Sequence, residues 1–280
     1  MQMIDYVVGV RVRVASFRQL ADLVTSLPKP FRPEYFTVGE RVRNKDASRI
    51  EDTPRFSVFL DDHVARVSGF DLIGEGIRFG FFVGETRNAQ NESTHVGCSV
   101  ILRGRRWKTV DYSLLLKKLS AVPGSVRSYA CQRAEWKYRH ESVKQFPNFS
   151  VLETLGRDMS AFLPGLYWWT VFSDELAARH HLDVAELADF AGHHERWFTE
   201  EGDGLHAFRF YHSPDDWEQE KARVTTFLEA HPNFFSMSSI VGRIEAAATK
   251  DALDQIVRPY WAGAIPWEKH RLDSGALQTS

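Results

Sequence analysis

The chain has 280 residues, of which 43% are hydrophobic and 26% charged, with a mean hydropathy of −0.33; this composition excludes a disordered or fibrous protein. Its formal net charge of −2 conceals a split, since residues 1–140 hold 23 Lys+Arg against 15 Asp+Glu (+8) and residues 141–280 hold 12 against 22 (−10). No run approaches the ~18 apolar residues of a membrane span, and the start, MQMIDYVVGVRVRV, reads as a strand rather than a signal peptide, so a cytoplasmic protein with no membrane partner is expected.

In chain order, YVVGVRVRV (6–14) alternates Val10, Val12 and Val14 against Arg11 and Arg13, the pattern of a half-buried strand. Ser16 is placed to cap a helix over 17–27 with Leu20, Leu23, Val24 and Leu27 on one stripe. PKPFRP (28–33) stops it, because proline removes donors from the hydrogen-bond ladder. A polar loop is expected over 44–55, a helix over 54–67, and strands over 76–85 and 95–104 joined by the polar stretch 86–94. DYSLLLKKLSAV (111–122) has helical periodicity, and VRSYACQRAEWKY (126–138) returns to extended chain.

In the second half, LYWWTVF (166–172) reads as a strand with Trp168 and Trp169 on opposite faces. The expectation is that Trp168 faces the core and Trp169 a second layer or a partner. Ser173 caps the next helix, with Asp174 and Glu175 in its first turn, where negative charge suits the helix dipole. A helix over 183–192 stops at Gly192, and LHAFRFYH (205–212) alternates as a strand. SPDDWEQEKARVTTFLEAH (213–231) is the clearest helix, with Ser213 at the cap and Pro214 at the first position. NFFSMSSI (233–240) reads as a strand, and the tail over 273–280 as frayed. The fold expected is α+β: mixed, mostly antiparallel sheet with helices on its faces, in one domain over 1–280. A faint echo between YSLLLKKLSAVPGSVRSYAC and WEQEKARVTTFLEAHPNFFSMS, and between PNFSVLETLGR (147–157) and PNFFSMSSIVGR (232–243), admits two related sub-lobes, 1–145 and 146–272.

Catalytic motifs are scarce. There is no P-loop and no G-x-S-x-G elbow, and Gly74, Gly76 and Gly80 miss the dinucleotide spacing, so no cofactor is expected. The pairs His180-His181 and His193-His194 point apart on a helix, so each offers one metal ligand at most and no metal site is expected. Cys98 and Cys131 read as buried free thiols in preference to a disulfide. The run RGRRWKTV (103–110) mixes bases with Trp107, but in a chain without overall basic character it reads as a charged strand edge rather than a nucleic-acid site. A small-molecule hydrolase using His and carboxylates from separate segments is the alternative to a binding protein.

The order of motifs carries a resemblance. Gly165-Leu166-Tyr167-Trp168, Phe172-Ser173, Leu176-Ala177, Gly192, Trp197, Gly204 with Phe208, Phe210 and Tyr211, and Ser213-Pro214-x-Asp216-Trp217 follow one another, after Arg32-Pro33-x-x-Phe36 and Gly39 in the first half. The chain thereby resembles the immunity protein 52 family of bacterial polymorphic toxin systems. The resemblance implies an α+β protein with no enzymatic role that binds a cognate toxin. That toxin would be a nuclease effector delivered by a contact-dependent apparatus such as type VI secretion. A nuclease groove is basic, so acids and aromatic anchors are the expected contacts: Asp174, Glu175, Glu200, Glu201, Asp203, Asp215, Asp216, Glu218 and Glu220, with Trp169. A homodimer is also compatible with the sequence.

Overall fold

A computed structural model describes residues 5–38, 48–83, 94–104, 107, 111–156, 159 and 162–260. The first half contributes β1 (Asp5–Arg13), α1 (Phe17–Ser26), β2 (Tyr35–Thr37), β3 (Ser48–Arg49), α2 (Thr53–Ala65), β4 (Phe70–Gly74), β5 (Ile77–Val83), β6 (His95–Arg103), α3 (Ser113–Ser120), β7 (Ser125–Gln132) and α4 (Arg133–His140). The rest contributes β8 (Glu141–Gln145), β9 (Ser150–Thr154), β10 (Trp169–Ser173), α5 (Asp174–Arg179), α6 (Val184–Ala191), β11 (His194–Phe198), β12 (Gly204–Arg209), α7 (Trp217–Ala230), α8 (Ser238–Ala246) and α9 (Lys250–Val257).

Ten strands form one sheet in the order β11-β12-β10-β7-β1-β6-β5-β4-β2-β3, every ladder antiparallel, and β8 and β9 form a separate hairpin. The expected α+β class is therefore observed. The sheet crosses the boundary at 145/146, because β7 pairs with β10 from Trp169↔Ala130 to Phe172↔Arg127. Of the echoed stretches, PNFSVLETLGR holds strand β9, whereas PNFFSMSSIVGR leads into helix α8.

Alternation decides the two faces of the sheet. Tyr6, Val8, Val10 and Val12 of β1 join the main core with Leu20 and Val24 of α1 and Leu115, Leu116 and Leu119 of α3. Val7 faces the other way and packs with Cys131, Tyr167, Tyr129 and Trp136 of α4. Arg11 also lies on this second face and is buried, so β1 is covered on both sides rather than half-buried as its alternation suggested. A third cluster of Leu155, Phe235, Ile240, Ile244, Leu253 and Val257 holds α8 and α9.

Glu135 pins α4 to the second half. It is fully buried; its Oε1 accepts from Arg139 Nε at 3.1 Å and from the Tyr211 hydroxyl. Burial raises its carboxyl, against the pull of Arg139 and Tyr211.

Several expectations need correction. Residues 133–138 are helical, not extended, because the chain turns from β7 directly into α4. Residues 233–240 are not a strand: Phe234 makes an isolated bridge to Leu163, and a helix starts at Ser238. Ser16 precedes α1 without a side-chain capping bond, whereas Ser173 accepts from Leu176 N at 3.1 Å as expected. Gly192 ends α6 at φ 74°, the left-handed conformation that glycine takes without penalty. Ser213 and Asp216 form a capping box at the start of the α7 segment. The stretches 86–93 and 105–106, and the tail over 273–280, lie outside the described residues.

Candidate partner-binding surface

The acids expected to meet a partner fall into two groups at opposite ends of the same strands. Asp215 accepts from Tyr6 OH at 2.9 Å and from Gln132 Nε2, where β1 begins and β7 ends. Asp174, Glu175 and Asp203 line a cleft with Arg13 and Ser125 at the other end of those strands. The seven residue steps of β1 from Tyr6 to Arg13 span about 23 Å at ~3.3 Å per residue. The ten residues therefore do not make one patch.

The α7 group is largely engaged within the fold. Asp216 accepts from the Ser213 backbone at 2.9 Å, Glu218 pairs with Lys221 at 2.8 Å, and Glu220 with Arg223 at 2.7 Å. Capping and i,i+3 spacing explain these acids without a partner.

The other group is built by two adjacent turns. Where β10 becomes α5, the Ser173 cap sends Asp174 and Glu175 outward from the sheet end. Beside it the β11–β12 hairpin turns through 199–203: Thr199 N donates to Asp203 O at 3.0 Å, and Asp203 N to Thr199 Oγ1 at 3.0 Å. Between the two turns lies a cleft of about 190 Å³. Asp174 is held by a two-pronged bond from Arg196, at 2.6 and 2.8 Å, with His206 3.0 Å away. The pair passes over Gly204, where any Cβ would strike both side chains. Glu175 meets Arg13 and, at 2.9 Å, Arg179. The Arg196 bond holds Asp174 below the usual carboxylate range, and Arg13 and Arg179 lower Glu175 against the opposing effect of its burial.

Glu200, Glu201 and Asp203 are different: all three are exposed, and among the described residues none has an ion-pair partner. The Phe198 ring beside them is 59% exposed. These residues close β11, which among the described residues is an edge strand paired only to β12, and an unpaired strand edge is open to another chain. The sequence reading missed Phe198 because HHERW was read as helix-end histidines. The alternation of His194, Arg196 and Phe198 against Glu195 and Trp197 is the strand signal that would have found it.

Trp169 does not belong to the surface. It is 6% exposed and Trp168 8%. The Trp169 ring centroid lies 5.4 Å from that of Trp197 and 5.6 Å from that of His193, and the Arg209 guanidinium sits over it. Trp168 precedes β10, and the two rings lie 6.3 Å apart in one core cluster, so the tryptophans do not divide between opposite faces of a strand as expected, and Trp169 faces neither a second layer nor a partner.

Of the two His140 ring nitrogens, Nδ1 lies 2.7 Å from Leu155 O and Nε2 contacts the Tyr167 hydroxyl. Cys98 and Cys131 are buried free thiols, as expected, and burial pushes both above the ordinary thiol range. His193 sits 2.8 Å from Glu195, while His194 stacks on His206. Among the described residues no group of three or more His, Cys, Asp or Glu could hold a metal ion, and no helix is long and apolar enough to cross a membrane.

No known protein family matches the chain, and no curated protein does. Among solved structures it is similar to the Pseudomonas aeruginosa T6SS protein PA0821, at 11% identity over 91% of this chain and 81% of that one, with a TM-score of 0.49.

Proposed function

We propose that this protein is an immunity-type inhibitor that binds a cognate toxin and works by association rather than catalysis. The β11–β12 end is its acidic contact surface. The carrying observation is the exposed set Glu200, Glu201 and Asp203 beside exposed Phe198 on an edge hairpin. Acids with no ion-pair partner among the described residues contribute their field to an approaching basic surface, and an aromatic anchor adds buried area on contact. Asp174 and Glu175 extend the acidic rim, with part of their charge already balanced by Arg196, Arg13 and Arg179. A nuclease fits as the target class because its substrate groove must be basic to hold phosphates. The motif resemblance to immunity protein 52 supports the same reading, including delivery of that nuclease by type VI secretion.

The test is co-expression with the toxin encoded next to this chain's gene, scored by growth and by co-purification. Rescue by the wild type, and its loss in the folded triple variant Glu200→Lys, Glu201→Lys, Asp203→Lys, is the expected result. Growth arrest despite soluble wild-type protein would overturn the reading.

A further inference from the structure

The second face of the sheet holds a cavity that the proposed inhibitor role does not use. Its volume is about 220 Å³, and it lies where β6, β1 and β7 run side by side beneath α4. Gly9 forms its floor, Arg11 and Arg127 its charged wall, and Tyr129, Trp136 and Phe82 its aromatic walls. No carboxylate lines it among the described residues.

Arg127 is the unusual member. It is 8% exposed; its Nη2 donates to Gly165 O at 3.4 Å, and its guanidinium also bonds the Tyr167 side chain. Its Nε is buried with no hydrogen-bond partner. The guanidinium lies 5.0 Å from the Tyr129 ring centroid and 5.4 Å from that of Tyr167. Ring faces stabilise a cation, but they do not accept the in-plane N–H bonds of a guanidinium. A buried donor left unpaired is costly, more so when it is charged. Arg11 stands directly across the ladder from Arg127, over the Phe82 ring. Further along, His95 is pushed down to about 4, first by burial and then by Arg11. Two guanidiniums thus share one aromatic enclosure.

We propose that this cavity binds a small carboxylate with an apolar body. The carboxylate would accept from Arg127 Nε and from Arg11, and the body would lie against Tyr129 and Phe82. A guanidinium fork matches a planar carboxylate. Apolar ring walls favour a ligand carrying hydrocarbon over a fully hydrated phosphate. A cavity of about 150 Å³ already holds benzene, so benzoate is a fitting probe for this larger space.

The experiment is calorimetric titration of the full chain with sodium benzoate, inorganic phosphate and acetate, with thermal unfolding alongside. Benzoate is expected to bind one per chain, to raise the melting temperature, and to bind at least tenfold more tightly than either other anion. Arg127→Gln should weaken benzoate at least tenfold. Because Arg127 is buried and that variant could unfold, Ser99→Trp gives a second reading. Ser99 lines the cavity and is partly exposed, so the indole fills the space and leaves Arg127 in place; it too should abolish binding. Absence of benzoate binding to the folded wild type, equal binding by folded Ser99→Trp, or preference for phosphate would each overturn the proposal.

Discussion

The buried Glu135–Arg139 pair allows the sharpest stability prediction. The Glu135 side chain is fully buried and that of Arg139 is 3% exposed. Replacing Glu135 with Met leaves a guanidinium in the interior, and arginine cannot shed its proton to escape. Removing one partner of such a pair costs about 3–5 kcal/mol, a large share of the ~5–15 kcal/mol that holds a domain folded. Arg139→Met should cost less, because the carboxyl left behind, already raised by burial, can take up a proton and become neutral. Its cost should also shrink as pH is lowered. The double variant Glu135→Met/Arg139→Met removes both charges and should fall within about 2 kcal/mol of wild type. Urea unfolding at pH 7, with unchanged m-values, would give all three numbers. A Glu135→Met cost under about 1 kcal/mol, or a double variant equal to the sum of the singles, would refute the reasoning.

Three further outcomes follow from the same physics. The folded pKa of His95, about 4, lies below its unfolded value, so the unfolded chain takes the proton first. Stability should therefore fall as pH drops from about 6.5 to about 4, by roughly 2–3 kcal/mol. His194 and His206, also lowered chiefly by burial, steepen that slope, while His95→Gln should flatten it in urea titrations across the window. Cys98 and Cys131 should resist iodoacetamide in the native chain and react in denaturant, as mass spectrometry would show, since burial disfavours both thiolates. Ser173→Ala deletes the cap on α5 and should cost about 1 kcal/mol in thermal unfolding.

What was legible in the sequence followed local rules. Period-two alternation marked β1 and β12, and the Ser173, Gly192 and Ser213 signals placed helix ends to within a residue or two. The misreadings arose where tertiary context decides. Arg133–His140 forms a helix with a strongly polar composition because Glu135, Arg139 and His140 find buried partners there. Residues 70–74 form β4 although no strand was expected, because β5 and β2 pair on either side. The candidate site was half legible. The acids of the second half could be counted, but only the fold separates those spent on Arg196, Lys221 and Arg223 from Glu200, Glu201 and Asp203. Trp169 read as an anchor because adjacency on a strand implies opposite faces. It does not reveal that β10 lies inside the sheet, between β12 and β7.

The most direct test of the central claim is the association rate with the neighbouring toxin, followed by stopped flow at about 50 mM and 300 mM salt. Electrostatic steering raises on-rates by about 10–10³-fold and is screened by salt. Wild type should therefore associate at least about tenfold faster at the lower salt, and the Glu200→Lys, Glu201→Lys, Asp203→Lys variant should associate slowly at both. An on-rate that ignores both salt and the triple reversal would contradict the assignment of the β11–β12 end as the contact surface.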